Sequence, residues 1–189
     1  MSTIPDPEGC VRILREAGCS QRVVKHSCTV HALAMPIAEK CGADLPLVSA
    51  GALLHDLGRA VEQGATHAIV GANMARELGL SEKLVEIIRR HVGAGLDDED
   101  VRNLDLPPGD YMPRTLEEKI VAHADNLTTD DRLWSYQKAQ TRMVAKGLFR
   151  PADRLKRLHE ELSKLFGSDL DLLVFSMGEK PALHPACGE

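Results

Sequence analysis

Residues 45–59 read LPLVSAGALLHDLGR, and this stretch decides the fold. Pro46 stands where a helix opens, because its missing N–H and fixed φ cost nothing in a first turn. The residues after it are apolar on nearly every side, so they make a central helix that other elements cover all round. That helix runs out on His55 and Asp56, groups that a buried position accepts only with partners.

Outward from this core, helical periodicity dominates. Ser20 reads as the N-cap of a long helix over Gln21–Cys41, stopped by Gly42. Its apolar stripe holds Val23, Val30, Leu33 and Ile37. A short helix from Pro7 to Ala17 precedes it, ending at Gly18. Thr66 caps a helix reaching Gly79, and Ser81 another reaching Val92. Thr115 and Glu118 form a capping box for TLEEKIVAHADNL. Between them, Gly93–Arg114 is polar, acidic and rich in Gly and Pro, and reads as one long functional or mobile loop. About two more helices follow Asp131, split near Pro151. Aromatics are only 3% of the 189 residues, so Leu, Val, Ile, Ala and Met must fill the core, which favours helices over strands. The expected fold class is all-α: a bundle of five or more helices with about two additional C-terminal helices.

The net charge of −5 offers no electrostatic footprint for non-specific nucleic-acid binding. A nucleotide substrate stays open, since bound divalent cations would reverse the local field. No apolar run is long enough to span a membrane, and the N-terminus lacks a basic region followed by an apolar one, so a cytoplasmic protein is expected. Five cysteines, none in a C-x-x-C pair, argue against a disulfide framework and for reduced thiols.

The chemistry lies in polar residues on apolar faces. His26 shares the stripe of Val23, Val30 and Leu33, and so points into the core. His91 follows Leu84, Ile87 and Ile88 on a buried face, and Asp125 shares a face with Val121 and Ala122. An uncompensated buried charge costs several kcal/mol. A single such residue is ordinarily a satisfied core group, but six on five helices, His67 included, need a common partner. A metal cluster supplies one.

The order of His26, the His55-Asp56 pair and a distant Asp125 resembles the metal-binding pattern of the HD superfamily of metal-dependent phosphohydrolases. The contexts that carry the resemblance are VVKHSCTVHALA, ALLHDLGR and IVAHADNL, within about residues 20 to 132. His67 in THAIVGANMARELG and His91 in IIRRHVG match the extra ligands of branches that hold two metals. The resemblance implies that residues 1–130 form the HD domain, with helices over 131–178 on the same core and a flexible tail over 179–189. It also implies that His26, His55, Asp56 and Asp125 hold one metal, while Asp56 bridges to a second held by His67 and His91. Imidazole plus carboxylate suits Fe, Mn, Co, Ni or Zn. Two such cations activate a water lying between them and stabilise charge in a phosphoryl displacement.

Arg59, one turn past the His-Asp pair, is assigned to catalysis as a phosphate contact that does not touch the metals; Arg132 is a second candidate for substrate binding. As one of several carboxylates, Asp56 is expected to destabilise the metal-free cluster by repulsion. His31, His159 and His184 read as solvated, His123 as a core or flanking histidine beside the site, and Asp97–Asp100 as a solvated acidic loop. The expected substrate is a nucleotide or dinucleotide, with symmetric dinucleoside tetraphosphates the most similar branch. The cyclic-dinucleotide branch fits less well, because Arg90 and Val92 flank His91 where that branch has paired histidines. Di-iron oxygenase chemistry and a non-catalytic nucleotide-binding module are the other readings.

Overall fold

The computed structural model describes residues 3–188, leaving out Met1, Ser2 and Glu189. The fold is all-α, with ten helices and one two-stranded hairpin among the described residues. Helices α1 (Pro7–Glu16), α2 (Gln21–Cys41) and α3 (Leu45–Leu54) come first, and a 3-10 turn over Leu57–Ala60 follows α3 directly. Next come α4 (His67–Glu77), α5 (Glu82–Arg90), α6 (Asp98–Asn103) and α7 (Leu116–Asn126). The hairpin pairs β1 (Thr128–Thr129) with β2 (Arg132–Leu133), and α8 (Tyr136–Ala145), α9 (Phe149–Phe166) and α10 (Leu170–Met177) complete the order.

The capping residues explain several boundaries. Ser20 accepts from the Val23 N–H, and Gly42 ends α2 at φ 73°, the left-handed region that suits glycine. Thr115 and Glu118 make the expected reciprocal box. Thr66 and Ser81 precede α4 and α5 without capping them through their side chains.

The α3 helix is the hub. Every residue from Leu47 to Leu54 is buried, against α2 and α7 on its flanks and α5 and α1 beyond. Leu33, Leu53, Leu54, Leu84, Ile88 and Ile120 fill the space between them with no solvent contact above 1%. Each such side chain contributes about 1.5–3 kcal/mol relative to exposure, and truncating one to Ala costs about 2–5 kcal/mol. Leu155, Leu158 and Leu162 of α9 join the same core.

Five expectations need correcting. The Gly93–Arg114 stretch contains α6, because Asp97 caps it and Asp100 returns the hydrogen bond to the Asp97 backbone. Its acidic run is not free in solvent: Arg154 pairs with Asp97 at 2.7 Å and also with Asp100, while Arg150 pairs with Asp97 and Glu99. Three helices follow the hairpin where about two were expected: α8 and α9 part just before Pro151, which sits in the first turn of α9, and Gly167 ends α9 ahead of the additional α10. The segment after Met177 is not a loose tail. It forms a 3-10 turn over Pro185–Cys187 and a Cys28–Cys187 disulfide with Cα atoms 6.0 Å apart. The bridge corrects the expectation of reduced thiols for those two cysteines, while Cys10, Cys19 and Cys41 are free.

Candidate metal centre

The end of α3 is where the site is built. His55 is its last helical turn's cap, and Asp56 starts the change to the 3-10 turn. Gly58 allows that turn to lie against the start of α4: a Cβ there would meet His67 O at 1.9 Å and Gly71 N at 2.6 Å. Gly71 makes the reciprocal approach, with a built Cβ 2.8 Å from Gly58 N. His67, first residue of α4, is thereby set against Asp56.

All six expected ligands converge, and their ring nitrogens divide in one consistent way. His55 Nδ1 lies 2.8 Å from Ala52 O, His67 Nδ1 2.8 Å from Gly64 O, and His91 Nδ1 2.7 Å from Ile88 O. His26 Nδ1 lies 3.1 Å from Asp130 O. A carbonyl only accepts, so each Nδ1–H donates and each neutral ring turns an Nε2 lone pair to the centre. There those lone pairs face acceptors alone. His67 Nε2 is 3.0 Å from His91 Nε2. His26 Nε2 is 2.9 Å from Asp125 Oδ1, and the fully buried His55 Nε2 has no hydrogen-bond partner.

Asp56 sits between two subsets. Its Oδ1 lies 3.1 Å from His67 Nε2 and 3.6 Å from His91 Nε2, while its Oδ2 lies 3.8 Å from His55 Nε2 and 3.9 Å from His26 Nε2. A buried cavity of four lone pairs and two carboxylates is stable only with cations or protons inside. The donor set, the spacing and the orphaned His55 Nε2 therefore fit divalent transition metals.

The protonation pattern agrees. Burial opposes a charged His55, yet the Asp56 and Asp125 carboxylates outweigh it and push His55 up to about 9. Burial likewise opposes ionisation of Asp56 and Asp125. The histidines around each carboxyl win, and both are held well below the usual carboxylate range. His91 moves down, chiefly by burial.

A cleft of about 490 Å³ opens onto Asp56, Asp125 and His26. His26 is a mouth residue and not a core one, its side chain 15% exposed. Arg59 lines the cleft, but its Nε donates to Asp56 Oδ1 at 2.9 Å, so it does touch the cluster. Arg132 is not in the cleft wall and pairs with Glu179 at 2.9 Å. Sequence reasoning missed Arg22 and Arg142, which do line it. Arg22 lies one turn before His26 on the same helix, a signal that was legible. Arg142 comes from α8, and only packing reveals it.

Of the histidines expected in solvent, His31 and His159 are buried and His184 is half-buried. His31 is buried with Nε2 3.0 Å from Ser49 Oγ, and His184 packs edge-on against its ring. His123 is fully buried and directed away from the cluster, to His159 Nδ1 at 3.1 Å; His159 in turn donates to Asp169 Oδ1 at 3.1 Å. Both His159 and His31 lie on helical faces that α9 and α2 turn inward.

Fold and site together define a helical protein with a buried histidine–aspartate cluster that could hold metal. The chain belongs to the HD domain family, whose model matches residues 23–130 and so encloses all six cluster residues. It is 45% identical over 168 residues to a tRNA (cytidine(56)-2'-O)-methyltransferase of Thermoplasma volcanium, covering 89% of this chain and 50% of that protein. It is 33% identical over 120 residues to Ribonuclease Y of Chloroflexus aurantiacus, covering 62% of this chain and 20% of that protein. The chain thus spans about half the length of the methyltransferase it matches. Among solved structures, the HD domain of the Listeria monocytogenes phosphodiesterase PgpH, in complex with cyclic-di-AMP, superposes with a TM-score of 0.53 at 18% identity. The match covers 84% of this chain and 95% of that one, a likeness of fold. No helix among the described residues is long and apolar enough to cross a membrane.

Proposed function

We propose that this chain hydrolyses a phosphoester or phosphoanhydride bond in a nucleotide-like substrate, with two divalent transition metals. His26, His55, Asp56 and Asp125 would hold one, and Asp56, His67 and His91 the other. The observation that carries the reading is the division of Asp56, whose two oxygens face two separate sets of imidazole lone pairs. Bound divalent cations supply Lewis acidity toward a phosphoryl oxygen and lower the pKa of a coordinated water.

The chain's own residues do the rest. The four backbone carbonyls lock each imidazole in its ligating tautomer. Arg59 orients the Asp56 carboxylate and leaves part of its guanidinium toward the cleft. Arg142, in the wall of the same cleft, adds a cation for phosphate oxygens. The apolar packing of α3 beneath His55 excludes water on the inner side, which strengthens the electrostatics of the site.

The names of the relatives support a base-bearing substrate, since one is a ribonuclease and one a tRNA methyltransferase. Methyl transfer is said of a protein of which this chain matches half, so it is not carried over. The test is metal analysis of the purified protein, followed by turnover of bis(p-nitrophenyl) phosphate and of diadenosine tetraphosphate with Mn, Fe, Co, Ni or Zn. Stoichiometric metal with turnover supports the reading. A protein that binds none of these metals, or that binds them without cleaving either compound, sinks it.

A further inference from the structure

Three of the arginines near the cleft are already committed to carboxylates. Arg22 pairs with Asp130 at 2.6 Å, Arg59 with Asp56 and Arg132 with Glu179. Arg142 is different. It is exposed on α8, and among the described residues neither it nor Lys138, one turn earlier, has a carboxylate partner. Both instead lie over the ring of Trp134, Lys138 Nζ at 4.2 Å from its centroid and the Arg142 guanidinium carbon at 5.2 Å.

Arg142 is also the residue that joins two cavities. It lines the cleft above Asp56 and Asp125, and it lines a second, open groove of about 540 Å³ with Trp134, Lys138 and Thr141. The groove and the cleft over the candidate metal centre share that one side chain. A π face with two unneutralised cations beside it is what a nucleotide recognises: the base stacks and the phosphates take the cations. In the free protein the cations shield the ring; both are long and exposed, so each can exchange the ring for a phosphate. A net charge of −5 for the chain makes this local excess of positive charge the more selective for an anion.

We infer that the Trp134–Lys138–Arg142 groove is a nucleobase subsite, so that the substrate is at least two nucleotides long, with one base on Trp134 and a phosphate led by Arg142 to the metal centre. The inference rests on the phosphohydrolase reading of that centre. Two sources share this chemistry, a single-stranded RNA end and a dinucleoside polyphosphate.

Trp134 is the single tryptophan of the chain, so its fluorescence reports the groove alone and needs no turnover. The metal-loaded protein is titrated with the RNA dinucleotide ApA, with diadenosine tetraphosphate and with inorganic phosphate. Quenching by ApA supports an RNA end and quenching by the tetraphosphate supports a dinucleoside polyphosphate; a change no larger than inorganic phosphate produces, by drawing the cations off the ring, overturns the subsite. Trp134→Leu should raise KM for the quenching compound about tenfold with kcat within twofold, and Trp134→Phe should restore most of the loss. Lack of quenching by both compounds at millimolar concentration overturns the subsite. If bis(p-nitrophenyl) phosphate is still cleaved in that case, the hydrolase reading survives; quenching without cleavage of any phosphodiester marks the opposite failure.

Discussion

Arg59 Nε donates to Asp56 Oδ1 at 2.9 Å, on the same oxygen that His67 Nε2 approaches at 3.1 Å. The guanidinium thus neutralises and aims the carboxylate proposed to bridge, while its NH1 is tied to Gln63 O at 3.0 Å. Arg59→Ala should lower kcat/KM by about 1.5–3 kcal/mol, the worth of one charged hydrogen bond. It should also weaken metal binding, an effect the sequence reading did not foresee. Arg59→Lys should recover part of the loss, because charge survives without the planar fork. Metal titrations beside steady-state kinetics check this, and a variant with wild-type values for both would remove Arg59 from the site.

Asp56→Asn should abolish turnover and release metal. The sequence suggested that losing Asp56 would relieve repulsion among carboxylates in the metal-free protein. The opposite sign is expected from the structure, since Asp56 accepts from Arg59 and holds the buried His55 toward its charged form, pushed up to about 9. Removing the buried counter-charge should destabilise the chelated protein by about 3–5 kcal/mol, measured by urea unfolding. Turnover above a few per cent, or unchanged stability without metal, would count against the bridging role.

Gly58→Ala places a methyl against backbone, His67 O and Gly71 N, where no side chain can yield. The start of α4 must then move and carry His67 with it. We expect a loss of about 1–3 kcal/mol in stability and fewer metals per chain than wild type. Thermal unfolding and metal analysis are the checks; wild-type melting with full metal content would show that the two glycines only happen to be close.

His31 gives a pH dependence remote from the metal centre. Burial, with His184 beside it, pushes His31 down to about 4. Its other neighbours are Ser49 on α3 and Glu39 in the wall of the same cavity. The unfolded chain takes up the proton near 6.5, so below that pH it binds more protons than the folded chain. Stability therefore falls as pH drops from 6.5 toward 4 and is level above 6.5. His31→Gln keeps a partner for Ser49 and removes the titration. Between pH 7.5 and 5 it should lose less stability than wild type, by on the order of 1–2 kcal/mol; equal losses in urea melts would refute the assignment.

Much of the helical framework could be read from residues 45–59 outward. The cap residues Ser20, Thr115 and Glu118 and the stop at Gly42 act within a few positions of the chain, so their effect is local and legible. The six cluster residues were legible for another reason: a polar group on an apolar stripe is costly enough to need a partner, wherever that partner lies. Where the periodicity was broken by Gly and Pro, as in Gly93–Arg114, the short α6 was hidden. It is held by its own capping box and by Arg150 and Arg154, more than fifty residues away in sequence.

By itself, then, the sequence determined the ends of the helices it caps at Ser20, Gly42 and Thr115, the apolar faces and which histidines and aspartates had to share a partner, because these follow from short-range hydrogen bonds and burial. Only the tertiary structure decided which oxygen of Asp56 meets which imidazole, that Arg59 touches the cluster and Arg132 does not, and that Arg142 links Trp134 to the cleft. It alone paired Cys28 with Cys187 across a separation of 159 residues and buried His31 and His159. These are contacts between elements far apart in the chain, set by how helices pack and where their side chains meet in space, and no local periodicity encodes them.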